Sequence, residues 1–212
     1  MAERVASRAA LLELRRDRSV FEEGHRFLDE KRMLVARELL RRLADYQAMV
    51  NAFEASLESA AGRMAAGLAH HGLEGLQVYP AAAVPVDERL MLDEGSFLGV
   101  KLLSGRMPVR GPVAGTVEPA VLRSAQAEAV AGAFSGLLDQ AVPMAVELAN
   151  ILRLHAEYRL TERRVRSLEN LILPEIRADQ RRMEAALEEL DQEEMVRGLL
   201  FGGRDEDRTG GE

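Results

Sequence analysis

Glu22 and His25 stand three residues apart, the Glu-x-x-His spacing that puts a carboxylate and an imidazole on one helix face. Two such pairs, with two further carboxylates, build the di-iron site of some helical bundles, but this sequence has no second pair. His25 therefore reads as a polar residue in a helix seam, paired with a carboxylate. His70 and His71 close a helical pattern, where the negative end of the macrodipole favours imidazolium. They read as a solvated pair and not as metal ligands. His155 is followed by Ala156 and not by the acidic residue of a phosphorelay helix, so it too reads as a polar seam position. The run Gly95-Ser96-Phe97-Leu98-Gly99-Val100-Lys101 has two glycines and a lysine, but not at the spacing of a phosphate-cradling loop. Glu184 to Glu194 is a charge-dense solvated face. With no cysteine, the chain has no disulfide, no thiolate nucleophile and no Cys-based zinc site. Neither a catalytic group, a metal site nor a cofactor site is expected.

These residues sit on two long helical patterns. From Leu11 the spacing Leu11, Leu14, Arg18, Phe21, His25, Leu28, Arg32, Val35, Leu39 alternates steps of three and four, the mark of a heptad seam. Leu43 follows four residues on, and Tyr46, Val50, Phe53, Leu57, Ala60, Met64 and Leu68 continue. The two consecutive fours make a stutter, which locally unwinds a left-handed supercoil. A second pattern runs from about Pro119 to Arg197, roughly 115 Å of helix at 1.5 Å per residue. Its seam includes Leu148, Ile151, His155, Tyr158, Glu162, Val165, Glu169 and Ile172, then Met183, Leu187, Leu190 and Glu194. A helix that long must lie against another long element, so the fold class expected is all-α dominated: a long antiparallel two-helix coiled coil with a small central insert. If paired positions sum to about 194, a register set by the helix ends and the heptad seam, Arg32 meets Glu162, His25 meets Glu169 and Gly62 meets Gly132.

The punctuation divides the chain into residues 5–72 as the first coiled-coil helix, 73–117 as a central head, 118–198 as the second helix and 199–212 as a disordered tail. Gly72 can take a left-handed cap conformation. Between Leu73 and Val117 recurrent Pro and Gly forbid a long helix. Phe97 to Leu103 and Arg106 to Val109 there flank Ser104-Gly105 as a hairpin turn, with Pro108 confining the second strand to an edge. Pro119 suits the first turn of the second helix. Pro143 and Pro174 fall inside that helix, and Pro174 should kink it, since an interior proline costs about 3 kcal/mol or more.

Composition supports long helices: 47% hydrophobic and 30% charged residues with 4% aromatic and no Trp. The net charge of -7, from 28 Lys and Arg against 35 Asp and Glu, lacks the basic surplus that nucleic-acid binding uses. The start has no apolar core of a signal peptide, and no run of about 18 apolar residues marks a membrane span. A soluble, cytoplasmic protein is expected.

Thr161-x-Arg163-Arg164-Val165-x-x-Leu168-Glu169 followed by Ile172-Leu173-Pro174 resembles the C-terminal helix of the D subunit of V-type and archaeal A-type ATPases. Leu11-Leu12-x-Leu14 and Gly24-His25-x-x-Leu28-x-x-Lys31-Arg32 resemble that family's opening, and Leu98-Gly99-Val100-Lys101 is similar to the start of its insert. The resemblance implies a non-catalytic central rotor shaft that transmits torque between an ATP-hydrolysing or synthesising ring and a membrane ion-translocating rotor. Its partners would be the alternating catalytic (A) and non-catalytic (B) ring subunits, a small F stalk subunit and a membrane-side socket. It would be cytoplasmic and peripheral to the membrane. In that setting Arg4, Arg8, Met195, Leu199, Leu200 and Phe201 form the shaft tip that contacts the ring, an amphipathic end with no evident internal partner. The few positive charges around Glu193 to Gly198 depart from the basic helix ends common in the family. The competing reading is a self-associating coiled-coil scaffold or chaperone-like protein.

Overall fold

The computed structural model describes residues 7–77, 91–106 and 124–209. Helix α1 spans Arg8–Gln77, strands β1 and β2 span Met91–Phe97 and Val100–Arg106, and α2 spans Ala125–Ser167. A π-helical turn at Leu168–Ile172 leads into α3, Leu173–Thr209. The fold is dominated by α-helix with one two-stranded antiparallel sheet between long helices. It comprises two compact units: Met1–Arg32 with Leu160–Glu212, and Met33–Arg159.

In the first unit the two arms run antiparallel, since partners on α3 fall in number as those on α1 rise: Arg8 with Asp191, Arg15 with Glu184, Glu22 with Arg177. Leu14, Val165, Leu173 and Met183 are buried along the seam. Phe21, His25, Leu28, Arg32, Glu162 and Ile172 are half-buried. Glu169, placed in the seam by its spacing, is exposed. The cause is Pro174. In a regular α-helix its ring collides with the carbonyl four residues back, that of Asn170, and it has no N–H to offer. The backbone widens instead, so that the Leu173 N–H donates to Leu168 O, five residues back. The widened turn takes up an extra residue and carries Glu169 off the seam.

Helix α3 does not end at Gly198, where the sequence puts the end of order; its helical backbone reaches Thr209. Glycine in a helix costs only about 1 kcal/mol relative to alanine, which neighbouring turns can absorb.

In the second unit Val35, Val100, Leu102 and Leu154 form one core, with Leu39, Phe97 and Tyr158 packed on it. Burying side chains such as Val35 and Leu154, both at 0% exposure, contributes about 2 kcal/mol each. The core residue on α2 is thus Leu154 and not its neighbour His155, which is exposed with Leu148. On α1, Leu43, Leu57 and Leu68 are exposed, and half-buried Arg42 and Ser56 with buried Gly67 hold the inward face. The contact stripe keeps the three-four alternation from Leu39 to Arg42 and Tyr46 and bypasses Leu43, where a hydrophobic reading goes wrong because it puts leucine inside and arginine out.

Small residues do not bring the axes together where expected. Gly62 and Gly132 have nothing against them, and Ala55, Ser56, Ser59, Arg63, Gly132, Ala133, Gly136 and Gln140 line a groove of about 380 Å³. Close approach occurs at Gly67, where an added Cβ would lie 3.1 Å from Val130 Cγ2. At the end of α1, Gly72 has positive φ (71°) but ψ of 170°, an extended conformation reserved for glycine. Leu73–Gln77 then resume helix. His71 is half-buried and shares a 2.6 Å hydrogen bond with Ser124 Oγ, so only His70 is solvated. Ser124 also caps α2, its Oγ accepting from the Ala127 N–H. Pro119 and Pro108 lie outside the described residues.

The hairpin turns at Leu98-Gly99 and not at Ser104-Gly105, with Phe97 opposite Val100. Both turn residues have positive φ, 49° and 86°, the signature of the two-residue turn whose twist matches its strands. Gly105 has a packing role instead: an added Cβ would lie 2.6 Å from Val146 Cγ2 on α2. The outer edge of β2 is fastened to α2 by Asn150, 1% exposed. Its Oδ1 accepts from the Leu103 N–H at 2.8 Å and its Nδ2 donates to Leu103 O at 2.7 Å. Arg153 Nη1 donates to Lys101 O beside it. Asn150→Ala strands one buried donor and one acceptor, and each unpaired group costs about 1–3 kcal/mol. We expect the variant to lose stability on that order in urea unfolding, with amide exchange accelerated at Leu102 and Leu103 before the helices.

Candidate functional site

The described residues hold no group of three or more His, Asp or Glu side chains placed to take a metal ion. Glu22 is engaged by arginines: Arg18 Nε at 3.0 Å and Arg177 Nη2 at 3.1 Å both donate to its Oε1. His25 Nε2 is buried without a hydrogen-bond partner, as is Thr161 Oγ1 on the opposite arm. The pairing of His25 with Glu169 is therefore not made.

What the structure does build is a ladder of charges across the helix pairs. Arg32 Nη1 donates to Glu162 Oε2 at 3.0 Å, the contact expected from the register. Its Nη2 reaches Asp29 at 2.6 Å, while Arg166 engages the other oxygen of Glu162 at 2.8 Å. Arg15 donates to Glu184 at 2.9 Å. Hydrogen bonding from Arg32 first, and the nearby charge of Arg166, hold the Glu162 carboxyl below its ordinary value. Gln180 and Arg15 do the same for Glu184, and Arg18 with Arg177 for Glu22.

The most enclosed ion pair of the second unit was not legible. Arg42 Nη1 donates to both oxygens of Glu147 at 2.9 and 2.7 Å, and its Nε to Glu38 at 2.8 Å. Arg42 and Glu147 are only 16% and 14% exposed. Arg41 also bonds Glu38 and lowers its carboxyl pKa. The available signal was the heptad itself, since Arg42 lies three residues after Leu39 and four before Tyr46 and so continues the alternation that Leu43 breaks.

At the helix ends, Arg8 does have an internal partner: its Nη2 donates to Asp191 at 3.0 and 3.2 Å, though both groups are well exposed. Met195 and Leu199 are 69% and 74% exposed. Helical backbone continues through Leu200 and Phe201, and Arg4 lies outside the described residues. Uncovered apolar side chains recur on both arms, among them Val20, Phe27 and Leu171 in the first unit and Leu40, Phe134 and Leu152 in the second. Within Ala125–Leu199 one 18-residue window, of mean hydropathy 1.3, is apolar enough by length and composition to cross a membrane, and 11% of it is buried. No 18 consecutive residues between 125 and 199 are free of charge, so no unbroken apolar run marks it in the sequence.

A chain of paired helical arms, registered by charge and carrying uncovered apolar faces, is of the kind that works inside a larger assembly. Residues 10–201 match the family of the ATP synthase D subunit, and the chain belongs to it. It is 30% identical over 210 residues to the D subunit of the V-type ATP synthase of Anaeromyxobacter sp. (strain Fw109-5), covering 93% of this chain and 92% of that protein. It is 25% identical over 194 residues to the V-type ATP synthase D subunit of Thermotoga neapolitana, covering 90% and 93%. To the A-type ATP synthase D subunit of Archaeoglobus fulgidus it is 23% identical over 198 residues, covering 93% and 95%.

The depressed carboxylates set a sign for pH dependence. A carboxyl whose folded pKa lies below its unfolded value of about 4.3 stabilises the fold above that pH, and the contribution is lost as pH falls through the folded pKa. We expect the thermal midpoint to drop as pH falls from about 5 to 3. Glu162→Gln combined with Glu184→Gln should flatten that drop, which melting curves across the range will show.

Proposed function

We propose that this chain is the central rotor shaft of a V- or A-type ATPase, a non-catalytic subunit that carries torque between the ATP-handling ring and the ion-translocating rotor. The observation that carries the reading is family membership over nearly the whole chain, joined to helical arms whose uncovered apolar side chains need partners. A torque-bearing element must resist sliding of one helix along the other. Cross-helix pairs such as Arg32–Glu162 and Arg42–Glu147 oppose it, because a slip of one residue turns each side chain about 100° away from its partner. The partners proposed are the A and B ring subunits at the helix ends, the small F stalk subunit and a membrane-side socket. The location is cytoplasmic, peripheral to the membrane as part of the complex. The apolar window of α2 then serves as a docking face.

The same uncovered apolar side chains favour a second reading, a self-associating scaffold. Purified chain with and without the small stalk protein separates the two: a 1:1 complex is expected for the shaft, and for the scaffold a stable homo-oligomer that ignores the added protein. The tip is tested by truncation. Residues 195–199 are exposed, so deletion from Met195 onward should leave melting and binding of the stalk protein unchanged and reduce ring insertion, or coupling of ATP hydrolysis to rotation, at least several-fold. Unchanged coupling would remove the tip from the bearing, and loss of the fold would assign it to the core.

A further inference from the structure

We propose that the π turn at Leu168–Ile172 is a movable register defect. Its second seat lies about one turn nearer the N-terminus, and in that seat Glu169 enters the seam and bonds His25. Three observations converge. The Leu173 N–H donates five residues back to Leu168 O, so the helix holds one residue more here than an α turn accommodates. His25 Nε2 is buried with no partner. Glu169, which could supply one, is exposed.

The phase of the two helical stretches explains the connection. The seam of α3 runs through Leu173, Ile176, Gln180, Met183 and Leu187, all buried or half-buried. One step of four back from Leu173 falls on Glu169, so the phase of α3 carried through the turn puts Glu169 in the middle of the contact stripe. The seam of the preceding stretch runs through Tyr158, Thr161 and Val165, and its phase carried forward favours Ile172 instead. Where the extra residue sits decides which phase Glu169 obeys. With the defect at Leu168–Ile172, Glu169 is on the outside. With the defect between Thr161 and Glu169, it follows α3 and turns inward. Only the few residues between the two seats rotate. The Arg15–Glu184 and Glu22–Arg177 pairs further along keep their partners.

Two opposed preferences act on the defect. Pro174 holds it at Leu168–Ile172, because an α-helical ladder there would drive the proline ring against the Asn170 carbonyl. The unpartnered His25 draws it the other way, since a buried polar atom without a partner is itself unfavourable. The movement requires no helix to melt, and it turns a short stretch of surface, Leu168 to Ile172, relative to the rest of the arm. The inference concerns the helix pair alone and does not rest on the rotor reading.

The sequence has no cysteine, so a single introduced thiol reports its own accessibility in the full-length chain. Glu169→Cys should react quickly with a maleimide in the otherwise native protein. Adding Pro174→Ala, which removes the ring that seats the defect, should slow that reaction at least tenfold, while Glu175→Cys, exposed beyond the turn, keeps its rate. With Glu169 present, the imidazole ¹⁵N resonances of His25 should shift on Pro174→Ala, and Glu169→Gln should diminish that shift. In separate chains, thiols at Arg15→Cys and Glu184→Cys should cross-link equally with Pro174 or Ala. An unchanged rate at Glu169→Cys in a folded Pro174→Ala chain would overturn the proposal. So would loss of the Arg15 to Glu184 cross-link, which would mean that the extra residue is expelled and the whole arm slides.

Discussion

Two helices laid side by side share one narrow stripe, and the α-helix does not keep a stripe straight. A sequence repeating every 3.5 residues drifts about 20° per heptad against a helix of 3.6, so a long pair must supercoil or insert residues that reset the phase. In this protein one such reset is visible, and the stripe elsewhere holds polar chemistry at regular positions. After Leu39 the inward face passes to Arg42, and that arginine brings Glu38 and Glu147 into a nearly enclosed cluster. Before Pro174 the helix widens by one residue and the seam passes from Val165 to Leu173. The first is a charged residue at a regular heptad position; the second keeps the seam apolar and moves its phase by one residue.

Charge pairs are therefore better suited to fixing register than to supplying stability. Arg8–Asp191 is well exposed at both groups, and pairs of that kind contribute about 0–1 kcal/mol. Arg42–Glu147 is more enclosed, and there the desolvation of both ions offsets much of their attraction. The stabilising work falls to a few apolar side chains such as Val35, Leu154 and Val165. An apolar stripe accepts several alignments at similar cost; a row of arginines facing carboxylates does not.

The helices, the hairpin's existence and the Arg32–Glu162 contact were legible in sequence, because periodicity and charge are local or additive signals. The misplaced details share one cause: each depended on geometry set from elsewhere in the fold. Leu98 in the hairpin turn has positive φ that leucine seldom adopts, so the more glycine-like Ser104-Gly105 drew the turn, whereas Gly105 is needed for contact with Val146. Asn150 is one polar residue inside a helical pattern, and its role follows only from the β2 backbone beside it. His155 and Leu148 fit a heptad, yet the stripe actually used runs through Asn150, Ile151 and Leu154. Pro174 marks the disturbance in the sequence, but nothing local to it specifies the widened turn that answers it and displaces Glu169.

The hairpin shows how a marginal element can be made specific by one side chain. A two-stranded ribbon is barely stable alone, and an edge strand exposes a row of backbone groups open to unwanted pairing. Here the β2 edge is closed by a side-chain amide, which offers one donor and one acceptor as a neighbouring strand would. Asn150 accepts from and donates to Leu103 together, while Val100 and Leu102 project into the core with Val35 and Leu154. The amide fixes the strand's position along α2, and the apolar pair fixes the face it presents. A leucine at position 150 could add apolar area but would leave the Leu103 amide unpaired, so the polar residue in the helix interior follows from the strand it must hold.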